Sequence, residues 1–376
     1  MIVKLTNRCY KLGSPKPLIG NLVRHILIIL SLFLFSLTII SCTSSSTTNS
    51  DNETTTDNET RVDLETTTDN TTNSSGLFVA VGWRLYKTDP YCFLNACLEY
   101  ESRILTSSDN GVTWDTIFGN LGLLTSIDLI DKKLMVSTSG YNSIYSEDGL
   151  SWYYERNFPR DSEKFAYGNG TFLAFNPSWW TFAISFDGMT WNVNPIGVIS
   201  DGFFGNNIFI IGGNSGIFKS KDYGVSWTKT DPGTWLYDIA FGNNTFVGTI
   251  SGGVIKSIDN GTTWTYNSNL VSGSLNGIIY GNSKFVAVGS EGKIFTLSNG
   301  DMTWVERTSG TTHDLNHISY GNGTFVVVGD NDYPPSSVIL ISDDSGVTWK
   351  TKFTSGTKWQ TSDGNTNRLS GVAFIK

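Results

Sequence analysis

The chain has 376 residues, a formal net charge of −8, 39 glycines and 12 tryptophans, and only 16% of it is Asp, Glu, Lys or Arg. A typical globular domain is roughly 25% charged; here Gly, Ser, Thr, Asn and aromatics fill the difference, a composition of strands and tight turns rather than helices. With 26 basic against 34 acidic residues and no basic stripe, the balance argues against nucleic acid as a partner.

In chain order, Lys4, Arg8, Lys11, Lys16 and Arg24 precede an almost unbroken apolar run at 26–40, followed by Ser41 and Cys42. A basic stretch before an apolar run too short for a comfortable membrane span is the pattern of an export signal. Its end, Ile39-Ile40-Ser41-Cys42, resembles the bacterial lipobox. That resemblance implies a lipoprotein signal peptide at 1–41, lipidation of Cys42, and an address in the cell envelope, at the outer membrane or cell surface. The basic stretch is longer and Ile40 bulkier than the pattern usually has, and an uncleaved signal anchor is the alternative. Residues 42–75 are then a lipidated Cys and a tether of Ser, Thr, Asn, Asp and Glu, with Asp51-Asn-Glu-Thr-Thr-Thr-Asp-Asn-Glu-Thr60 nearly copied at 63–72. Such a segment has too little apolar surface to offset its ordering entropy and is expected to be disordered. As a flexible coil it reaches roughly 30 Å.

From 76 to 376 one turn recurs: Ser107-Ser-Asp-Asn-Gly-Val-Thr-Trp114, Ser146-Glu-Asp-Gly-Leu-Ser-Trp152, Ser185-Phe-Asp-Gly-Met-Thr-Trp191, Ser220-Lys-Asp-Tyr-Gly-Val-Ser-Trp227, Ser257-Ile-Asp-Asn-Gly-Thr-Thr-Trp264, a degenerate Ser298-Asn-Gly-Asp-Met-Thr-Trp304, and Ser342-Asp-Asp-Ser-Gly-Val-Thr-Trp349. Successive tryptophans are 38, 39, 36, 37, 40 and 45 residues apart, the length of one four-stranded propeller blade. The Ser and Asp side chains of such a turn accept backbone N–H groups, Gly supplies a positive φ, and Trp packs on the hairpin. Asp109, Asp148, Asp187, Asp222, Asp259 and Asp344, with Trp114, Trp152, Trp191, Trp227, Trp264, Trp304 and Trp349, are therefore assigned structural roles. Calcium binding is the alternative, but the turns lack the bidentate Glu of an EF-hand loop. The pattern resembles the Asp-box, or BNR, repeat of sialidase-like β-propellers, where the box joins the third and fourth strands of a blade on the face opposite the sialidase active site.

Beside each box lie two apolar runs. One, ending near a Gly-Asn turn, falls at 127–130, 165–168, 203–205, 239–242, 278–281, 318–321 and 372–375; the next falls at 78–82, 134–138, 172–176, 209–213, 246–250, 285–289 and 325–329. The first blade lacks its own opening strand, and residues 371–375 supply it. The expectation is an all-β, seven-bladed β-propeller with Asp-box hairpins, its ring closed by the C-terminal strand joining the N-terminal blade. The Gly-His and Trp-Asp signatures of WD repeats are absent.

On the face opposite the boxes, three connections are long, at 83–102, 330–337 and 354–370, and they are expected to gather on one sector. That sector holds Cys92 and Cys97, an even pair expected to form a disulfide in an exported domain. It also holds Arg84, Arg103 and Arg368, either an anion site or solvated loop charge. Register places Ser126, Lys164, Asp201, Asp238, Gly277, His317 and Gly371 at equivalent positions around the channel mouth. Trp179, Trp180, Trp235, Tyr237, Tyr333 and Trp359 lie near it, either stacking on sugars or packing between blades. No metal or cofactor is expected; His313 and His317 are the mature chain's histidines, too few for a zinc site.

The sialidase Arg-Ile-Pro motif is missing, Trp83-Arg84-Leu85-Tyr86 standing near the start of the propeller instead, and that family's catalytic domain has six blades. Seven blades resemble the photosystem II assembly and stability factor-like propellers, which implies an exported, non-catalytic protein that binds a partner. The expected function is a surface-tethered lipoprotein, a monomer, whose propeller binds a protein or carbohydrate ligand through the face opposite the boxes. The alternative is an exo-acting glycoside hydrolase, with Asp201, Asp238 and Glu163 as candidate carboxylates.

Overall fold

The computed structural model describes residues 76–87, 98–139, 143–159, 161–176, 181–231, 233–301, 303–332, 335–355 and 367–376. The export signal, Cys42, the tether, Cys92, Cys97, Trp179, Trp180, Tyr333 and Trp359 lie outside them.

Seven four-stranded antiparallel sheets form a seven-bladed β-propeller. Blade 1 is built from both ends of the chain: Asn367–Ile375 is its inner strand, followed outward by Leu77–Lys87, Leu98–Ser107 and Asp115–Gly119. Phe78 faces Phe374 and Ala80 faces Val372 in that register, so the expected ring closure is present. Blades 2 to 7 follow at 123–154, 164–194, 201–231, 238–267, 275–307 and 314–355, each running from the axis outward.

Burial explains the alternation of strand types. A blade's second strand is covered on both faces by neighbouring blades, so it reads as a continuous apolar run; Ile208–Gly213 and Thr245–Ile250 are buried at every residue. Outer strands such as Thr265–Asn267 are exposed throughout. The core therefore lies between blades, as where Val326, Val328, Ile339 and Ile341 of blade 7 pack with Phe78, Ala80 and Leu105 of blade 1.

The box turns have the local hydrogen bonds their sequence implies. Gly111 N–H donates to Ser107 Oγ at 2.8 Å and Thr113 N–H to Asp109 Oδ1 at 2.9 Å, with Gly111 at φ +81°. The tryptophan does more than pack on its own hairpin, because it wedges against the preceding blade. Trp227 of blade 4 meets Phe182 of blade 3 edge to face at 5.5 Å, and Trp264 of blade 5 donates to Thr230 Oγ1 of blade 4 at 3.2 Å. Three inner turns also reach the next box: Asn206 Nδ2 donates to Asn260 Oδ1 at 2.8 Å, Asn282 Nδ2 to Ser345 Oγ, and Asn322 Nδ2 to Asn110 Oδ1 at 2.8 Å, the last closing the circle between blades 7 and 1.

The glycine that ends the inner strand in each of blades 3 to 7 has a steric role. A Cβ on Gly242 would lie 2.0 Å from the Tyr280 ring of the next blade. Gly168, Gly205, Gly281 and Gly321 seat Phe204, Phe241, Tyr320 and Phe374 in the same way. None of these five glycines has a positive φ, so the requirement is for space rather than for backbone freedom.

Candidate functional site

The channel along the axis encloses about 430 Å³ and is lined by the inner strands of all seven blades. Its end toward the boxes carries the aromatic rings that sit on the glycines. Its other end carries Lys164, Asp201, Asp238 and His317, four of the residues placed there by register. Lys164 Nζ lies 2.8 Å from Asp201 Oδ2 and 4.0 Å from Asp238 Oδ1, which joins blades 3, 4 and 5.

Three carboxylates surround this one ammonium, because Asp128 also lines the channel. Burial in a low-dielectric channel raises the cost of ionising all three together. Burial, only partly offset by Lys164, pushes the Asp128 carboxyl up to about 6. Burial likewise raises Asp201, while Asp238 is held below its ordinary value because Lys164 and a hydrogen bond from Asp201 outweigh its burial. Of these two neighbouring carboxyls, Asp201 therefore holds a proton more tightly than Asp238. Lys164 stays firmly protonated, since the three aspartates outweigh its desolvation, and burial lowers His317.

These groups also stitch the ring together, one bond per blade junction. Around the circle, Ser370 Oγ donates to Leu124 O at 2.9 Å, Ser126 Oγ to Glu163 O at 2.5 Å, and Lys164 to Asp201. Ser200 Oγ then donates to Leu236 O at 2.5 Å, Ile278 N–H to Asp238 Oδ2 at 2.8 Å, Asn276 Nδ2 to Leu315 O at 3.0 Å, and Asn316 Nδ2 to Leu369 O at 2.9 Å. His317 Nδ1 adds a contact to Val372 O at 3.1 Å. Gly277 and Gly371 have no side chain to contribute; the preceding residues, Asn276 and Ser370, make the bond instead.

The arginine candidates form a separate group. The strands flanking the long connections outrun the rest: Leu77–Lys87 and Leu98–Ser107 in blade 1, and Thr324–Asp332 and Pro335–Ser342 in blade 7, against second strands of 6 or 7 residues in blades 2 to 6. Arg84 Nε pairs with Glu101 Oε2 at 2.5 Å. The Arg368 guanidinium lies 5.5 Å over Trp83, whose ring meets Tyr100 edge to face at 5.6 Å. Arg103 is only 4% exposed and lies 5.9 Å over Phe353; burial, then the nearness of Arg84, lowers it to about 10. The register sets buried Arg103 and half-buried Arg84 on one face of the blade 1 sheet, and half-buried Arg368 with Trp83 on the other. Among the described residues, no group of three or more His, Cys, Asp or Glu could hold a metal ion.

Near the channel mouth, the connection from blade 4 to blade 5 carries Trp235 and Tyr237, ring centroids 6.3 Å apart with planes at 32°. Trp235 is 43% exposed.

No protein-family model and no curated protein matches the chain. Among solved structures it is similar to YCF48 from Cyanidioschyzon merolae (13% identity, TM-score 0.48, 61% of this chain and 85% of that one). YCF48 bound to D1 peptide matches at 15% identity, TM-score 0.48, with 61% and 81% covered. Apo AztD from Citrobacter koseri matches at 9% identity, TM-score 0.46, with 80% and 98% covered.

Proposed function

We propose that the chain is an exported lipoprotein, anchored through Cys42 and held off its membrane by residues 43–75, whose propeller is a binding module for a protein or glycan. The ligand-binding face is the one opposite the box turns. One observation carries this reading: the second and third strands of blades 7 and 1 are longer than the second strands of blades 2 to 6, and those of blade 1, with the inner strand Asn367–Ile375, carry Arg84, Arg368, Trp83 and Tyr100 at the ends away from the boxes. A rigid ring with projecting strands on one face is a scaffold for recognition. The opposite face is occupied by the interlocked boxes and turns.

The anchor is tested by metabolic labelling with a palmitate analogue: label is expected on the full chain and lost, with release from the membrane fraction, in Cys42→Ala. The module is tested by probing peptide and glycan arrays with the full chain; retention reduced by Arg84→Ala or Trp83→Ala supports this face, and retention unaffected by both refutes it.

The hydrolase alternative rests on Asp201 and Asp238 being pushed in opposite directions, since divergent carboxyl pKa values mark acid and base in glycosidases. Both groups are, however, held by the fold. Asp238 accepts the N–H groups of Ile239 and Ile278 at 2.7 and 2.8 Å, and Asp201 accepts Gly202 N–H at 2.7 Å as well as Lys164. Turnover of any member of a fluorogenic glycoside panel would reverse the preference for a binding module.

A further inference from the structure

The chain between the outer strand of blade 4 and the inner strand of blade 5 crosses the face opposite the boxes from the rim to the axis. It is tied down along its length. Gly233 and Thr234 N–H groups donate to Asp231 Oδ1 at 3.0 and 3.2 Å, Tyr237 N–H to Thr249 O at 3.0 Å, and Lys164 Nζ to Tyr237 O at 3.4 Å. Leu236 is fully buried, and a Cβ on Gly212 or Gly248 would lie 2.7 or 2.3 Å from its side chain. Leu236 is thus a peg driven between blades 4 and 5, and the residues on either side of it are turned the other way.

Those residues are Trp235 and Tyr237. Trp235 is thus held 43% exposed on a loop that is fixed in place, presenting an indole face to solvent. The two rings, tilted by 32°, make a shallow aromatic shelf. Hydroxyls border it: Thr234 Oγ1 is 2.8 Å from Tyr266 OH, and the Tyr266 side chain is 51% exposed. An aromatic shelf with a hydroxyl border is complementary to a pyranose, which has one face of C–H bonds and a periphery of O–H groups. The shelf is preorganised, so little conformational entropy is lost on binding. Immediately inward, the one ammonium, Lys164, is already matched by Asp128, Asp201 and Asp238, so the cluster offers no net positive charge to attract a carboxylate-bearing sugar.

We propose that Trp235 and Tyr237 form a subsite for a non-anionic pyranose residue. This rests on the reading of that face as the ligand-binding one and names the ligand class for one part of it.

The experiment presents the full chain to β-glucan, mannan, galactan and chito-oligosaccharide probes, with sialyllactose and polygalacturonate as anionic counterparts. Wild type, Trp235→Ala, Trp235→Phe and a control variant, Val193→Ala, in an exposed side chain of blade 3, are compared, and thermal melts check that each folds. The expected result is retention of at least one neutral or amino pyranoside, weakened tenfold or more in Trp235→Ala and largely restored in Trp235→Phe, with the control unchanged. Wild-type tryptophan fluorescence shifts on binding, and the shift is lost in Trp235→Ala. Retention of anionic glycans alone, or glycan binding unchanged in Trp235→Ala, overturns the subsite. Retention of peptides and no glycan overturns it too, while leaving the binding-module reading intact.

Discussion

Gly242→Ala is the sharpest test of how neighbouring blades are fitted to each other. The added methyl would sit 2.0 Å from one Tyr280 ring atom and 2.2 and 2.4 Å from two more, far inside van der Waals contact. The Tyr280 ring cannot retreat without leaving Phe285, 4.8 Å away, and its hydroxyl contact with Asn299 at 3.1 Å. Overpacking costs about 1–3 kcal/mol and the lost aromatic pair about 1 kcal/mol, so the substitution is expected to destabilise by about 2–4 kcal/mol. At this domain size that lowers Tm by about 3–6 °C. The assay is a double-mutant cycle with Tyr280→Ala, read by thermal melts. Because the clash needs both partners, the double variant should be more stable than the summed single effects by about 1 kcal/mol or more. Gly323→Ala is the control for backbone conformation: its φ is +80° but a Cβ there meets open space, so it reports only the cost of a left-handed backbone, about 1 kcal/mol. A Gly242→Ala variant within 0.5 kcal/mol of wild type, or strict additivity with Tyr280→Ala, refutes the steric account.

Deleting residues 369–376 removes the inner strand of blade 1 with buried Leu369, Val372 and Ala373, and should abolish the cooperative melt; an unchanged melt contradicts closure by that strand. Stability should also depend on pH in two limbs. Asp128, raised from 3.8 to about 6, and Asp201, raised in the same direction, bind protons more tightly folded than unfolded, so stability falls as pH rises from about 4 through 6, by about 3 kcal/mol for Asp128. The box aspartates have the opposite sign. Asp187 is held down to about 2 by the backbone N–H groups of Thr190 and Met189, and Asp344 to about 2 where hydrogen bonds from Thr348 outweigh its burial, so their contribution is lost as pH falls below about 4. His317, lowered by burial, acts in the opposite direction over part of this window, so the Asp128 limb is read as the difference between wild type and Asp128→Asn in denaturant melts from pH 3 to 8: wild type should lose stability relative to the variant between about pH 4 and 6, and an identical pH dependence in both contradicts the raised Asp128 carboxyl. Asn316→Ala, which cuts the stitch from blade 7 to blade 1, should cost about 1 kcal/mol; no change in the melt would show that stitch to be dispensable.

Much of the fold was legible because a propeller repeats its physics. The second strands are covered on both sides and show as apolar runs; the turns need Ser, Asp and Gly at fixed offsets. The outer strands were not legible, several being only three largely exposed residues such as Asn192–Asn194 and Thr265–Asn267, with no periodicity to detect. At the channel, register arithmetic correctly brought Lys164, Asp201 and Asp238 together. It missed Asp128, although a carboxylate inside Ile127-Asp-Leu-Ile130 was the available signal. It also missed Asn276, Asn316 and Ser370. The strand register shifts between Leu275 and Gly277 and between Leu315 and His317, and a bulge turns the extra residue out of the period of two on which the alignment relied. The glycines ending the inner strands were read as turn formers, and the aromatic rings they seat come from other blades, which no local pattern records.

The central claim is that the face opposite the boxes receives the ligand. Hydrogen exchange of the full chain, with and without whichever array probe it retains, tests this most directly. The account predicts slowed exchange in the connection at 233–237 and in the projecting strands of blades 1 and 7. Slowing confined to the box turns around Gly111, Gly224 and Gly346 would contradict it.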